Sequence, residues 1–226
     1  MYLYRYISLK RFKQLLESSS LFFVDPLTAW PDEKEGFLYR EMKTKEGQEK
    51  IIQIMENQGI SQADIKFWAD ALAGEPYGLR CQCWCKDGNS LQMWREYVSD
   101  HNGLRIKISS DRLRSFEYKK HSVELIKIIY KDLSLEDEIK EVFSPKDRAF
   151  YFPRAFSFKR TKYSFEKEVR AYTLTEDKEE HIMVPIKDIS TFICDVLPHP
   201  NASELCVSEI EKLCAEYGTK FLKYDH

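Results

Sequence analysis

The stretch Cys81-Gln82-Cys83-Trp84-Cys85, followed by Met93-Trp94-Arg95-Glu96-Tyr97 and then His101-Asn102-Gly103-Leu104-Arg105, decides how this chain is read. It predicts a buried strand, a helix carrying Met93, Trp94 and Tyr97 on one face, and a return strand opened by a glycine. Alternation along the first strand puts Cys81, Cys83 and Cys85 on one face and Gln82 and Trp84 on the other. Aromatics interleaved with Arg95, Glu96 and Arg105 beside thiols describe the wall of a pocket or an ordinary core with a charged outer face. The residues alone leave both open.

Upstream, Tyr2 to Ile7 alternates like a strand, with the three tyrosines on one face and Leu3, Arg5 and Ile7 on the other. Ser8 is the expected N-cap of a helix from Leu9 to Ser18, and Leu21 to Val24 is a short apolar strand. A helical insertion of about 37–72 follows, as one helix from Phe37 to about Asn57 and a second capped by Ser61. Downstream, Leu104 to Ile108, Val123 to Tyr130, Val169 to Leu174, Ile182 to Ile186 and Phe192 to Val196 read as strands. Pro145 to Phe156 reads as helical. A last helix starts at Asn201 or Ser203, stops before Gly218, and gives way to a strand at Lys220–Tyr224. No repeat or linker divides these elements. The expected architecture is α+β: one domain over residues 1–226, with a mostly antiparallel sheet, continuous or split, flanked by helices.

The 226 residues suffice for a core without metal or disulfide support, and 43% hydrophobic with 32% charged residues is globular composition. A net charge of −2 gives no global attraction to nucleic acid or an anionic membrane. MYLYRYISLKRF lacks the features of a signal peptide, and no run approaches the roughly 18 apolar residues of a membrane span. The expected location is the cytoplasm. The six cysteines lack the paired spacing of structural zinc, so reduced, buried thiols are expected and no metal site.

Among groups that carry chemistry, Glu166, Glu168 and Arg170 alternate and would share one face of a strand beginning there. Two carboxylates so placed hold a cation or a ribose diol, and crowding raises one pKa into the range of a general base. The competing reading is a solvated strand end with salt bridges. Arg5 lies between Leu3 and Ile7 and must find a carboxylate or a ligand anion. Asp32, Glu33 and Glu35 after Trp30 pin a loop or bind a cation. Lys159, Arg160 and Lys162 make a local basic patch suited to a phosphate-bearing small molecule or to nucleic acid.

Several segments together resemble a known family. They are Leu3-Tyr4-Arg5-Tyr6, Leu21-Phe22-Phe23 with Trp30 to Glu35, the Cys81 and Met93 segments with Gly103, Phe165 to Arg170, and the tail from Ile193 through Pro198-His199-Pro200. They resemble the bacterial family catalogued as "domain of unknown function 2971", along essentially the whole chain. The family position of Cys85 is often serine, and the family name supplies no activity. A more distant similarity is to the ADP-ribosyltransferase superfamily, in which a split sheet clamps NAD. That resemblance implies Arg5 on phosphate, Cys85 beside the nicotinamide ribose and Glu168 on a ribose hydroxyl. It further implies Glu166 in acceptor activation, and Trp84, Trp94 or Tyr97 as aromatic surface in the binding site.

Three functional readings follow. The first is an NAD-using transferase or hydrolase, of the kind found in toxins and phage-defence effectors. The second is a non-catalytic nucleotide- or partner-binding module with an aromatic pocket near Trp30, Trp84 and Trp94. The third is Mg²⁺-dependent nuclease-like chemistry from Asp32, Glu166 and Glu168.

Overall fold

Strict alternation from Tyr2 to Ile7 gives the first strand two unlike faces, and the rest of the sheet is arranged around that difference. The computed structural model describes residues 1–30, 32, 34–67, 78–143 and 152–224. β1 (Tyr2–Ser8) runs directly into α1 (Leu9–Ser18), which begins where the Ser8 side chain accepts the Arg11 backbone N–H. Ser19, in left-handed backbone at φ 44°, turns the chain into β2 (Ser20–Val24).

The central strand is β3 (Gly78–Cys85). One edge pairs along its length with antiparallel β10 (Glu168–Thr175), with Glu168 opposite Cys85, Arg170 opposite Cys83 and Tyr172 opposite Cys81. β7 (Glu124–Lys127) lies beyond β10. The other edge of β3 is shared by two strands. Val24 of β2 meets Cys81, and Tyr4 of β1 meets Cys85. One wing continues from β2 to β11 (His181–Pro185); the other continues from β1 to β4 (Gly103–Ser109) and β12 (Asp195–Pro198). The sheet is therefore mostly antiparallel and forks beside Gln82, Cys83 and Trp84. This is the α+β class, and the split sheet, that the sequence leads one to expect.

Each face is covered differently. Leu3, Ile7, Trp84, Ile106, Val169 and Ala171 pack with Leu9, Phe12 and Leu16 of α1 and with Ile210 and Cys214 of the last helix (Glu204–Glu216). On the opposite face, Leu79, Cys81 and Tyr172 pack under a helical lobe. Its members are α3 (Phe37–Met42), α4 (Lys45–Asn57) and the helix Leu135–Val142, which contribute Leu38, Met55 and Ile139. Further along that face, Tyr6 and Cys85 pack with Met93 and Trp94 of the helix Leu91–Tyr97. Between these two apolar groups lies a band of charged side chains.

Several local expectations need correction. The helix expected over 37–57 breaks at Thr44, whose hydroxyl caps α4 by accepting the Gly47 N–H. Helix resumes over 62–67 with Ser61 accepting the Asp64 N–H; residues 68–77 and 144–151 lie outside the described part. Val123–Tyr130 divides into β7 and the two-residue β8 (Ile129–Tyr130). The strand expected at the C-terminus is a single bridge between Phe221 and Val196. Gly103 is required where it stands, since a Cβ there would meet the Ile7 carbonyl oxygen at 2.4 Å. Among the described residues no helix is long and apolar enough to cross a membrane.

Candidate active site

The charged band begins where a short strand, β9 (Phe158–Lys159), leads into a 3-10 helix over Thr161–Glu166. Lys167 then adopts left-handed backbone (φ 44°) and starts β10 at Glu168. Glu166 is therefore on the 3-10 helix and not in strand alternation with Glu168 and Arg170, as the sequence suggested. The turn still converges the two carboxylates. Lys159 Nζ lies 2.5 Å from Glu166 Oε2, 2.9 Å from Glu168 Oε2 and 3.5 Å from Glu35 Oε1. Arg170 Nε donates to Glu168 Oε1 at 2.6 Å, and its other nitrogens reach Glu35 and the Phe156 carbonyl. The Arg170 guanidinium also lies 4.0 Å from the centre of the Trp30 ring.

Three carboxyls thus face two cations, with Arg170 only 1% exposed and Glu168 3%. Burial opposes ionisation of Glu168, but Arg170 and Lys159 outweigh it and hold that carboxyl well below the ordinary carboxylate range. Burial pushes Glu166 and Glu35 upward, against the pull of Lys159 and Arg170. Tyr97, 49% exposed, donates its hydroxyl to Glu166 Oε1 at 2.9 Å and links the band to solvent. The Tyr130 hydroxyl accepts the Glu168 N–H at 2.7 Å. The choice posed by the sequence between a solvated strand end and a functional carboxylate pair resolves into a third arrangement, a buried and fully partnered ionic group.

Arg5 does not join that group. Alternation sets it on the Leu3–Ile7 side of β1, where β1 leaves β3 at the fork. Among the described residues its guanidinium forms no hydrogen bond or ion pair, so the pairing with Glu166 or Glu168 considered from sequence is not made. Burial lowers its pKa to about 10, while the neighbouring Cys83 acts to raise it. The same Cys83 thiol lies beside Glu168 and favours its ionised form. Burial and Glu168 keep that thiol protonated. By alternation Arg5 shares the α1 face of the sheet with Leu3 and Ile7, whereas Cys83 and Glu168 share the opposite face; Arg5 and Cys83 are both partly exposed. At the same fork, Gln82 Oε1 and Trp84 Nε1 are buried without a hydrogen-bond partner among the described residues. Cys85 is in the ladder opposite Glu168, but its sulfur is engaged with the Asp87 backbone.

The aromatic residues are dispersed. Trp84 belongs to the core under α1, Trp94 packs against Tyr6 on the other face with ring centres 4.6 Å apart, and Trp30 stacks on Arg170. The three tryptophans do not line one pocket. Asp32 pins its own loop by accepting the Lys34 N–H and pairs with Arg160, so it is not shared with Glu166 and Glu168; Glu33 lies outside the described part. Among the described residues no group of His, Cys, Asp and Glu is suited to hold a metal ion. Sequence reasoning missed Cys83 as the thiol beside Glu168 and Lys159 as a clamp, but did offer Arg170 as a salt-bridge partner of the glutamates, and Arg170 pairs with Glu168. Alternation put Cys83 on the right face, but nothing local distinguished it from Cys81 or Cys85.

Beside Lys159 is a cavity of about 290 Å³, also lined by Lys34, Lys131, Asp132, Glu138 and Arg160. Burial pushes Glu138 up to about 7, against the Leu38 N–H that it accepts. A carboxyl whose folded pKa is raised binds its proton more tightly in the native state. Its stabilising contribution is therefore complete below the unfolded value near 4.3 and lost as pH rises to about 7. Glu138→Gln should stabilise the chain at pH 8 by on the order of 1–3 kcal/mol, with the gain fading toward pH 5. Denaturant midpoints at the two pH values check this, and equal midpoints at pH 8 would remove the argument.

Comparison with known proteins gives one family match. A family model described as a protein of unknown function (DUF2971) matches residues 93–171. That span carries Trp94, Tyr97, Lys159, Glu166, Glu168 and Arg170, and leaves out Arg5 and Cys83. The match thus covers this span and not the whole chain, as the sequence motifs had suggested. No curated protein and no solved structure matches the chain.

Proposed function

We propose that the protein binds NAD at the sheet fork and cleaves its nicotinamide–ribose bond, in the manner of ADP-ribosyltransferases. The reading rests on the sheet fork, where Glu168, held anionic, lies beside Cys83 on one face and Arg5, without a partner among the described residues, lies on the other face of the adjoining strand. A partly exposed guanidinium without a protein partner is available to an anion, and a diphosphate is the anion this ligand brings. Cys83 replaces Cys85 as the middle-strand group beside the ribose. Glu168 stabilises the positive charge that develops on the ribose as the C–N bond breaks and nicotinamide leaves with the bonding pair. Glu166, whose proton affinity burial raises and which accepts the hydroxyl of the exposed Tyr97, takes a proton from water or another acceptor as it adds to the ribose carbon.

The order of strands supports the same reading. β10 with Glu168, β3 with Cys83 and β1 with Arg5 are consecutive neighbours. The test is incubation of the purified chain with NAD, followed by melting temperature and chromatography. A raised melting temperature and released nicotinamide are expected; neither effect would count decisively against the proposal.

A further inference from the structure

The large sheet ends on one side at β11, whose outer edge pairs with no strand among the described residues. The Ile186 N–H donates to the Ser19 carbonyl and the Asp25 N–H to the Glu180 carbonyl, which fixes the hydrogen-bonded pairs of the β11–β2 ladder. Ile182 and Val184 therefore turn their backbone groups toward β2, while those of His181, Met183 and Pro185 face outward. All three outward residues are exposed, and the His181 and Met183 N–H groups have no acceptor among the described residues. Met183 lies opposite Phe22, the two being 40% and 45% exposed, and the His181 ring packs on Phe22 with centres 4.7 Å apart. No bulge or lysine guards this edge; it presents open main chain beside exposed apolar side chains. The charges at its two ends are opposite. Glu179 and Glu180 precede it and Lys187 follows it, all exposed and without an ion pair among the described residues.

We propose that β11 is the docking edge for a second copy of this chain, pairing antiparallel with its own β11 about a two-fold axis at Met183. The Met183 N–H and carbonyl of the two copies bond reciprocally, and each His181 N–H donates to the Pro185 carbonyl across the axis. Pro185 has no N–H to offer, so the ladder stops there. The same register carries on to set Glu179 across from Lys187 at both ends, whereas a parallel pairing would place acid beside acid. That self-complementary order of charge selects a second copy over an unrelated strand, because a two-fold contact must present each end of the edge to the other. The axis also joins the two Phe22–Met183 pairs into one apolar patch. An edge of 5 residues makes a small contact, so the dissociation constant is expected on the order of 10⁻⁵–10⁻⁴ M. The surface goes beyond the NAD reading and does not depend on it.

Analytical ultracentrifugation of the full chain, in reducing buffer so that thiols cannot cross-link it, tests this over about 5–300 μM protein. A monomer–dimer equilibrium is expected. Met183→Lys should weaken it at least about tenfold, because two lysines then meet at the axis. Met183→Pro deletes an outward N–H, leaves the pairing with β2 intact, and should weaken it likewise. Lys187→Glu should weaken it about three- to tenfold, and adding Glu179→Lys to that variant should restore it. These positions are exposed, so melting curves should match wild type. A monomer throughout the range overturns the proposal. So does a dimer that folded Met183→Lys or Met183→Pro chains leave intact, since it uses another surface. Failure of Glu179→Lys to restore what Lys187→Glu removes overturns the antiparallel register.

Discussion

A Glu168→Gln chain should retain its fold and lose NAD turnover by about 10²–10³-fold, the usual effect of removing one group that stabilises transition-state charge. The substitution looks hazardous because Glu168 is almost fully buried, yet charge counting argues that it is tolerated. Glu35, Glu166 and Glu168 face only Lys159 and Arg170. Neutralising one carboxyl leaves two against two, and the glutamine oxygen can still accept from Arg170 or Lys159. A stability loss of about 1–3 kcal/mol is expected from weakened charge-assisted hydrogen bonds. Melting curves must accompany the assay. A folded Glu168→Gln chain that still cleaves NAD at the wild-type rate would end the assignment of Glu168.

Arg170→Met should be far more damaging, by about 3–5 kcal/mol, because it strands buried carboxylates without their cation. Three carboxyls would then share Lys159 alone, the Phe156 carbonyl would lose its donor, and Trp30 its stacked guanidinium. The sign of the pH effect is diagnostic. Without Arg170 the folded-state pKa of Glu168 and Glu35 must rise, so the deficit grows as pH increases through those raised values and shrinks in acid. Chemical denaturation at pH 5 and pH 8 measures it. A deficit below about 1 kcal/mol at both pH values would show that the group contributes no more than a surface ion pair.

The opposed effects of Glu168 and Arg170 show where sequence reading stops. Local rules gave much of the frame. Alternation separated Leu3, Arg5 and Ile7 from the tyrosines of β1 and put Cys81, Cys83 and Cys85 on one face. Ser8, Ser61 and Ser203 cap helices as their positions predict. What failed was set by events at long range or by a single backbone angle. Glu166 left the strand because Lys167 takes a left-handed conformation, which lysine composition does not announce. Glu35 and Lys159 stand far apart in sequence, so only the packing of the helical lobe on β3 and β10 makes them neighbours. The partner of Arg5 was sought among the glutamates, but Glu168 lies on the other face of the sheet, and the glutamates' charge is taken by Lys159 and Arg170. Trp30, Trp84 and Trp94 looked like one pocket wall because strand and helix periodicity fixes which face a residue occupies, and not which of two cores covers it.

Arg5 now decides the functional account. With no partner among the described residues, its removal should leave the melting temperature unchanged or slightly higher. Calorimetric titration of NAD into wild type and Arg5→Ala is therefore the most direct measurement. The account predicts binding to wild type and at least about a tenfold loss in Arg5→Ala at equal stability. Equal affinity in the two chains, or no heat of binding in wild type, would contradict it.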